Sequence, residues 1–241
     1  MSAIKNRSCL FPVFITFMSL TCAAAQNSYA FPPYNSTDAG TADTWAIEWR
    51  LGSSHSSDND GENHANSLLA RFNVGLPSHL EIISEFKYGG APVKLDEMGM
   101  GLKWVPLHGA VNMGVEVLIA PPLEGENRAG VEAVYLASVY WGSWAMHMNA
   151  GGFSDERPAR PERGWKAGYI IENDFGVLRP GAEIFGKGAE SGESQAYAGF
   201  GVIIPIEAFD MRCGFDWGLN AASSAFIANI WVTGKRAPAA D

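Results

Sequence analysis

The chain has 241 residues and a net charge of −9. That acidic balance excludes a basic nucleic-acid-binding face. Charged residues or glycines interrupt every apolar run after the first 25 residues, which excludes a spanning helix of ~20 apolar residues.

Residues 1–25 have the form of a signal peptide. Lys5 and Arg7 give it a positive start, Leu10 to Thr21 an apolar stretch, and Ala23-Ala24-Ala25 a small-residue cleavage site, with Ser28-Tyr29-Ala30 offering a later one. Lipidation of Cys22 is the competing reading, against which Leu20-Thr21 make a poor lipobox. Cleavage removes Lys5 and Arg7 and no acid, taking the charge from −9 to −11. It also removes Cys9 and Cys22, so Cys213 has no partner for an intramolecular disulfide. The remaining ~215 residues suffice for one mid-sized barrel.

From Trp45 onward, apolar and polar residues alternate with period two, the pattern of strands that face two different environments. Trp45, Ile47, Trp49 and Leu51 oppose Glu48 and Arg50; Leu68, Ala70, Phe72 and Val74 oppose Arg71 and Asn73; Leu80, Ile82, Phe86 and Tyr88 oppose Glu81, Glu85 and Lys87. Met98 to Trp104 sets methionines, Leu102 and Trp104 against glycines and Lys103. Val111 to Ile119 then carries Glu116 on its polar side, and Val131 to Val139 carries Glu132 and Ser138. Trp144 to Met148 opposes His147, and Trp165 to Ile171 opposes Lys166 and Glu172. A ninth unit, Leu178 to Phe185, is weakened by Pro180. The last three are Ala196 to Ile204, Phe209 to Trp217 opposing Asp210, Arg212 and Asp216, and Phe226 to Val232.

Short turns (Pro77 to His79, Pro106 to Gly109, Gly142-Ser143, Asn173-Asp174, Pro205 to Ala208) alternate with longer loops (Ser53 to Ala65, Gly89 to Leu95, Pro121 to Arg128, Ser154 to Gly164, Gly188 to Glu193). Short periplasmic turns, long outer loops and an even strand number predict an all-β fold, a transmembrane antiparallel up-and-down β-barrel of about twelve strands. Its organisation reads as signal peptide 1–25, periplasmic N-terminal segment 26–43, barrel 44–233 and periplasmic tail 234–241. Trp45, Trp104, Trp144, Phe175 and Phe209 fall at one end of the strands, and Tyr88, Trp165, Trp217 and Phe226 at the other, as two interfacial belts require. A soluble sandwich or lipocalin-like barrel would instead bury its bulky residues and show water a polar face.

Asp38-Ala39-Gly40 with Trp45 and Glu48, Phe72 to Leu76 running into His79 to Ile82, and Gly99 to Trp104 resemble the strand units of the MetA-pathway of phenol degradation family. The resemblance covers roughly residues 37–120. It implies an outer-membrane barrel, with hydrophobic or aromatic compounds among its solutes, and no catalytic residues. The chain departs from the terminal aromatic common in outer-membrane barrels by ending in Lys235 to Asp241.

Inward charges form the candidate site. Glu48, Glu81, Glu85, Glu116, Glu132, Glu183, Asp210 and Asp216 face Arg50, Arg71, Lys87, Lys103, Lys166, Arg179 and Arg212. Two uses are open: a structural network that closes the lumen, or a charged pore lining. Folding the strands about their turns sets Arg71 beside Glu85, Lys166 beside Glu183, and Glu116 opposite Glu132. Two close carboxylates would form a cation or proton site. The inward glycines (Gly99, Gly101, Gly114, Gly168, Gly181, Gly199, Gly201, Gly214) either leave room for a lumen or let strands bend and large side chains pack over them.

Asp58, Asp60, Gly61 and Glu62 partly echo a calcium loop, but Ser67 occupies the position of its final glutamate; a solvated loop is the simpler reading. Ser138, His147 and Glu172 would converge if a short turn pairs the first two, yet no Gly-x-Ser-x-Gly elbow accompanies them. No cofactor or metal is expected. The expected partners are outer-membrane lipids and a small solute. The leading function is a channel or transporter-like barrel, and the alternative is a closed structural or interaction barrel.

Overall fold

A computed structural model describes residues 33–58, 63–90, 93–123, 128–157, 161–190 and 192–236. The signal peptide, Cys22, the acidic loop at Asp60 to Glu62 and the last five residues lie outside the described residues. Twelve strands follow in order: β1 (Ile47–Ser57), β2 (His64–Leu76), β3 (Leu80–Gly89), β4 (Lys94–Leu107), β5 (Val111–Ala120), β6 (Gly130–Trp141), β7 (Trp144–Asp155), β8 (Glu162–Asn173), β9 (Arg179–Ala189), β10 (Gln195–Ile206), β11 (Phe209–Gly218) and β12 (Phe226–Arg236). Each pairs antiparallel with its sequence neighbours, and β1 pairs with β12 to close the barrel. Closure leaves no unpaired edge, and strands of 10–14 residues are long enough to cross a bilayer at a tilt.

The period-two pattern sets which side chains face out. Leu51, Leu68, Met100, Leu102, Ile119, Tyr135, Ile184, Phe200 and Ile230 are large, apolar and exposed, whereas Glu48, Arg71, Glu81, Lys103, Glu116, Glu183, Arg212 and Asp216 are buried. A water-soluble barrel would show the reverse, because exposing that much contiguous apolar surface to water is unfavourable. Trp45, Trp104, Trp144 and Phe175 ring the short-turn rim and Trp165 and Trp217 the long-loop rim, all exposed. Hydrocarbon outside and charge inside make this a transmembrane barrel.

Several strands extend past their sequence-based limits. Hairpin β1–β2 runs to Ser57 and His64, so its loop is shorter than Ser53 to Ala65. Pro180 does not interrupt β9, where it stands opposite Val202. Near Pro106, β4 continues through a register shift between Trp104 and Leu107, a local irregularity suited to a residue that cannot donate to the ladder.

The largest departure concerns the segment before β1, expected in the periplasm. Its described part, residues 33–43, runs inside the barrel. Tyr34, Asn35, Ser36, Thr37, Ala39 and Ala42 are buried, and the segment makes hydrogen bonds or ion pairs to nine of the twelve strands. A chain touching strands on all sides of a closed barrel can only occupy its lumen. It leaves at the short-turn rim through a tight reversal: Ala46 N donates to Asp43 O at 2.8 Å and Trp45 N to Gly75 O at 2.8 Å. Trp45 pivots there in the left-handed region at φ 64°, a conformation uncommon for a bulky residue and held by these two bonds.

Candidate functional site: the lumen and its internal segment

The segment carries unpaired backbone polar groups into a confined space, and each needs a partner. Inward side chains supply them. Glu183 on β9 accepts the N–H groups of Asn35 and Ser36, both at 2.7 Å, and Asn35 Nδ2 at 3.2 Å. Asn35 Nδ2 also donates to Asp216 on β11 at 3.0 Å. On β7, Asn149 makes a reciprocal pair with Thr37: it accepts from Thr37 N and donates to Thr37 O, both at 2.6 Å. Ala42 N donates to Glu81 on β3 at 2.6 Å. Asn112 and Asn229 donate to the carbonyls of Ala39 and Pro33, both at 3.1 Å.

One ion pair and one apolar contact complete the docking. Lys103 on β4 meets Asp38 at 3.3 Å. Burial by itself would raise the Asp38 carboxyl; Lys103 above all outweighs it and holds that carboxyl well below the usual carboxylate range. Ala39 packs against Val105, Val134 and Leu136, apolar residues among the polar ones of the inner face.

Glycines admit the segment. A Cβ on Gly201 would lie 2.5 Å from Pro33 Cγ, and one on Gly214 2.3 Å from Pro33 O. Gly168 and Gly181 are blocked in the same way by Ser36 and Tyr34. Gly101 and Gly114 instead face close backbone of a neighbouring strand.

The other charges bind one another. Arg71 bridges Glu85 and, at 3.1 Å, Glu116. Arg50 meets Glu48 at 3.1 Å, Arg212 meets Asp210 at 2.9 Å, and Lys166 pairs with Glu132. Lys87 stands across from Glu97 on β4. The expected Arg71–Glu85 pair therefore forms.

Two expected pairings do not form. In the β5–β6 ladder Glu116 stands opposite Val134 and Glu132 opposite Leu118. That two-residue offset separates the carboxylates, and they pair with different cations, Glu116 with Arg71 and Glu132 with Lys166, which removes the basis for a dicarboxylate cation site. In the β8–β9 ladder Lys166 stands opposite Lys187, and Ile170 opposite Glu183. The connection there, residues 174–178, is longer than the two-residue turn read from the sequence, and every added residue shifts the register.

Ser138, His147 and Glu172 do converge. Ser138 Oγ lies 2.8 Å from His147 Nδ1, and His147 Nε2 lies 3.3 Å from Glu172. Arg179 is 3.6 Å from the same Glu172 oxygen. Ser138 is fully buried and its oxygen already accepts Ala39 N at 2.7 Å. The chain of contacts thus orients a hydroxyl toward the internal segment rather than toward a reacting carbonyl.

Missed by sequence reasoning were Asn35 to Ala42 and their partners Asn112, Asn149 and Asn229. The available signal was weak: uncharged polar residues on the inward face of strands, and a Pro-Pro-Tyr-Asn-Ser-Thr stretch without periodicity ahead of the first strand.

An apolar belt around a charged, strand-lined lumen defines the chain as a β-barrel of the bacterial outer-membrane type. No protein-family model matches the chain, and no curated protein matches it in sequence. Among solved structures it is similar to an outer membrane channel from Pseudomonas putida F1, with a TM-score of 0.63 and 12% identity over 83% of this chain and 99% of that one. It is also similar to the NanC porin, with a TM-score of 0.61 and 8% identity over 78% and 98%. At these identities the likeness lies in the fold.

Proposed function

We propose that the protein is a passive outer-membrane channel for small solutes whose bore is constricted by its own residues 33–43. The supporting observation is the lumen itself. Its wall carries many charged and asparagine side chains, and the segment inside it is held by separate polar contacts to different strands, among them those of Glu183, Asn149, Glu81 and Lys103. Such bonds can exchange with water, with a net contribution of about 0.5–1.5 kcal/mol each for the neutral ones and about 1.5–3 kcal/mol for those to carboxylates. Likeness to a channel and a porin agrees with this reading, and the resemblance of residues 37–120 to the MetA-pathway family extends it to hydrophobic and aromatic solutes. The occupied lumen also favours the second reading, a barrel that never opens. The two differ in conductance. The full-length protein in planar bilayers should give small openings, and a variant lacking residues 27–42 should conduct several-fold more. A truncated barrel that stays folded and shows no current would reject the channel.

A further inference from the structure

Glu183 on β9 and Asp216 on β11 stand across the same residue of β10, because Gly199 pairs with both. Their backbones are two strand spacings apart, roughly 9–10 Å, and the glycine leaves the space over β10 to the two side chains. Asp216 reaches into it, since a Cβ on Gly199 would collide with Asp216 Oδ1. Both carboxylates are buried. β11 ends at Gly218, just above Asp216, so the pair lies on the long-loop half of the lumen.

The way its charge is met sets this pair apart from the rest of the inner wall. Glu48, Glu85, Glu116, Glu132 and Asp210 each meet a cation. Glu81 has Lys103 directly opposite it, a partner it can take up when Asp38 leaves. Among the described residues no ion pair reaches Glu183 or Asp216, and the charge acting on Asp216 is that of Glu183. The group between them is the Asn35 carboxamide, whose Nδ2 lies 3.2 Å from Glu183 Oε2 and 3.0 Å from Asp216 Oδ2. A single nitrogen donor from outside the wall thus bridges both carboxylates, and it is neutral. Two like charges brought together favour a cation between them, and buried charge is costly until an opposite charge compensates it.

We infer that the Glu183–Asp216 pair binds a solute carrying a primary ammonium group, and that Asn35 is the internal donor such a solute displaces. The inference rests on the channel reading and gives it a solute class and an opening step. A primary ammonium has three N–H donors and a positive charge, where the carboxamide has two donors and none. It bridges the same two oxygens and also neutralises one of the two charges. Solute and segment compete for one place. Binding therefore favours the undocked segment, and docking lowers the apparent affinity in proportion to the fraction of sites it occupies.

Calorimetric titration of the purified full-length protein in detergent, at constant ionic strength, tests this with three probes. They are propylammonium, tetramethylammonium (the charge without N–H donors) and propanol (a donor without the charge). Propylammonium should bind at least about tenfold more tightly than either of the others. Asp216→Asn should weaken it about tenfold, the loss of one charge-assisted hydrogen bond. The variant lacking residues 27–42 should bind it at least about tenfold more tightly than the full-length protein, because the competitor is gone. In the full-length protein, saturating propylammonium should speed hydrogen exchange at Asn35 and Ser36 several-fold, and tetramethylammonium should not. Retention of the heat-modifiable gel band shows that each variant is folded. Equal binding of tetramethylammonium, or an affinity unmoved by Asp216→Asn or by loss of the segment, overturns the site. Because neither measurement needs conduction, a conducting protein that does not bind propylammonium loses only this site, whereas a binding protein that never conducts loses the channel reading.

Discussion

Replacing Glu183 by alanine removes the acceptor that holds two consecutive backbone N–H groups of the internal segment, at Asn35 and Ser36. Both bonds are charge-assisted, and hydrogen bonds to charged groups contribute about 1.5–3 kcal/mol each. Amides released into the lumen can rehydrate, so the lower figure applies, and two bonds give about 3 kcal/mol. At 1.4 kcal/mol per tenfold, the ratio of docked to undocked segment should fall roughly a hundredfold. Glu183→Gln keeps one carbonyl acceptor and should fall only about tenfold. Hydrogen exchange at Asn35 and Ser36, followed by mass spectrometry, reads the docking, and single-channel recording reads its effect on current. Exchange should accelerate and open probability rise in the order wild type, Glu183→Gln, Glu183→Ala. Unchanged exchange at both amides in a folded Glu183→Ala barrel would refute the account of how the segment is held.

Steric displacement should act without altering charge. Gly214→Ala drives a methyl toward the Pro33 carbonyl, a backbone atom that cannot rotate away, and should raise conductance; a current identical to wild type would argue against the close approach. Asp38 supplies a pH test. Its carboxyl is depressed in the docked state, so its contribution is complete above the ordinary aspartate value and is lost as pH falls below it. Segment protection should therefore drop in strongly acidic buffer, and Asp38→Asn should remove that dependence. Arg71→Met strands the buried carboxylates of Glu85 and Glu116 and should cost about 3–5 kcal/mol, read as a lowered urea midpoint. On the outer wall, Ile184→Arg at the middle of β9 should cost about 2–4 kcal/mol in liposomes, and no cost would mean that this face does not meet lipid.

The alternation was legible in the sequence because side-chain parity is a local property. Trp49 against Glu48, or Val115 against Glu116, fixes a face without reference to any other strand. Twelve such units with short and long connections were enough to identify a barrel. Register was less accessible, since it depends on how many residues each turn consumes. The hairpin at Arg71 and Glu85 has a compact turn and was readable, whereas the connection at residues 174–178 separates Lys166 from Glu183.

The N-terminal segment is the part that only the tertiary structure decided. Residues 33–43 have no periodicity, because they pair with side chains from strands all around the barrel rather than with a neighbouring ladder. Their partners, Asn149, Glu183 and Asn229, lie over a hundred residues away in the chain. A local pattern specifies which face of a strand is wet. Only closure of all twelve strands brings those distant acceptors around one short segment and turns an open lumen into an occupied one.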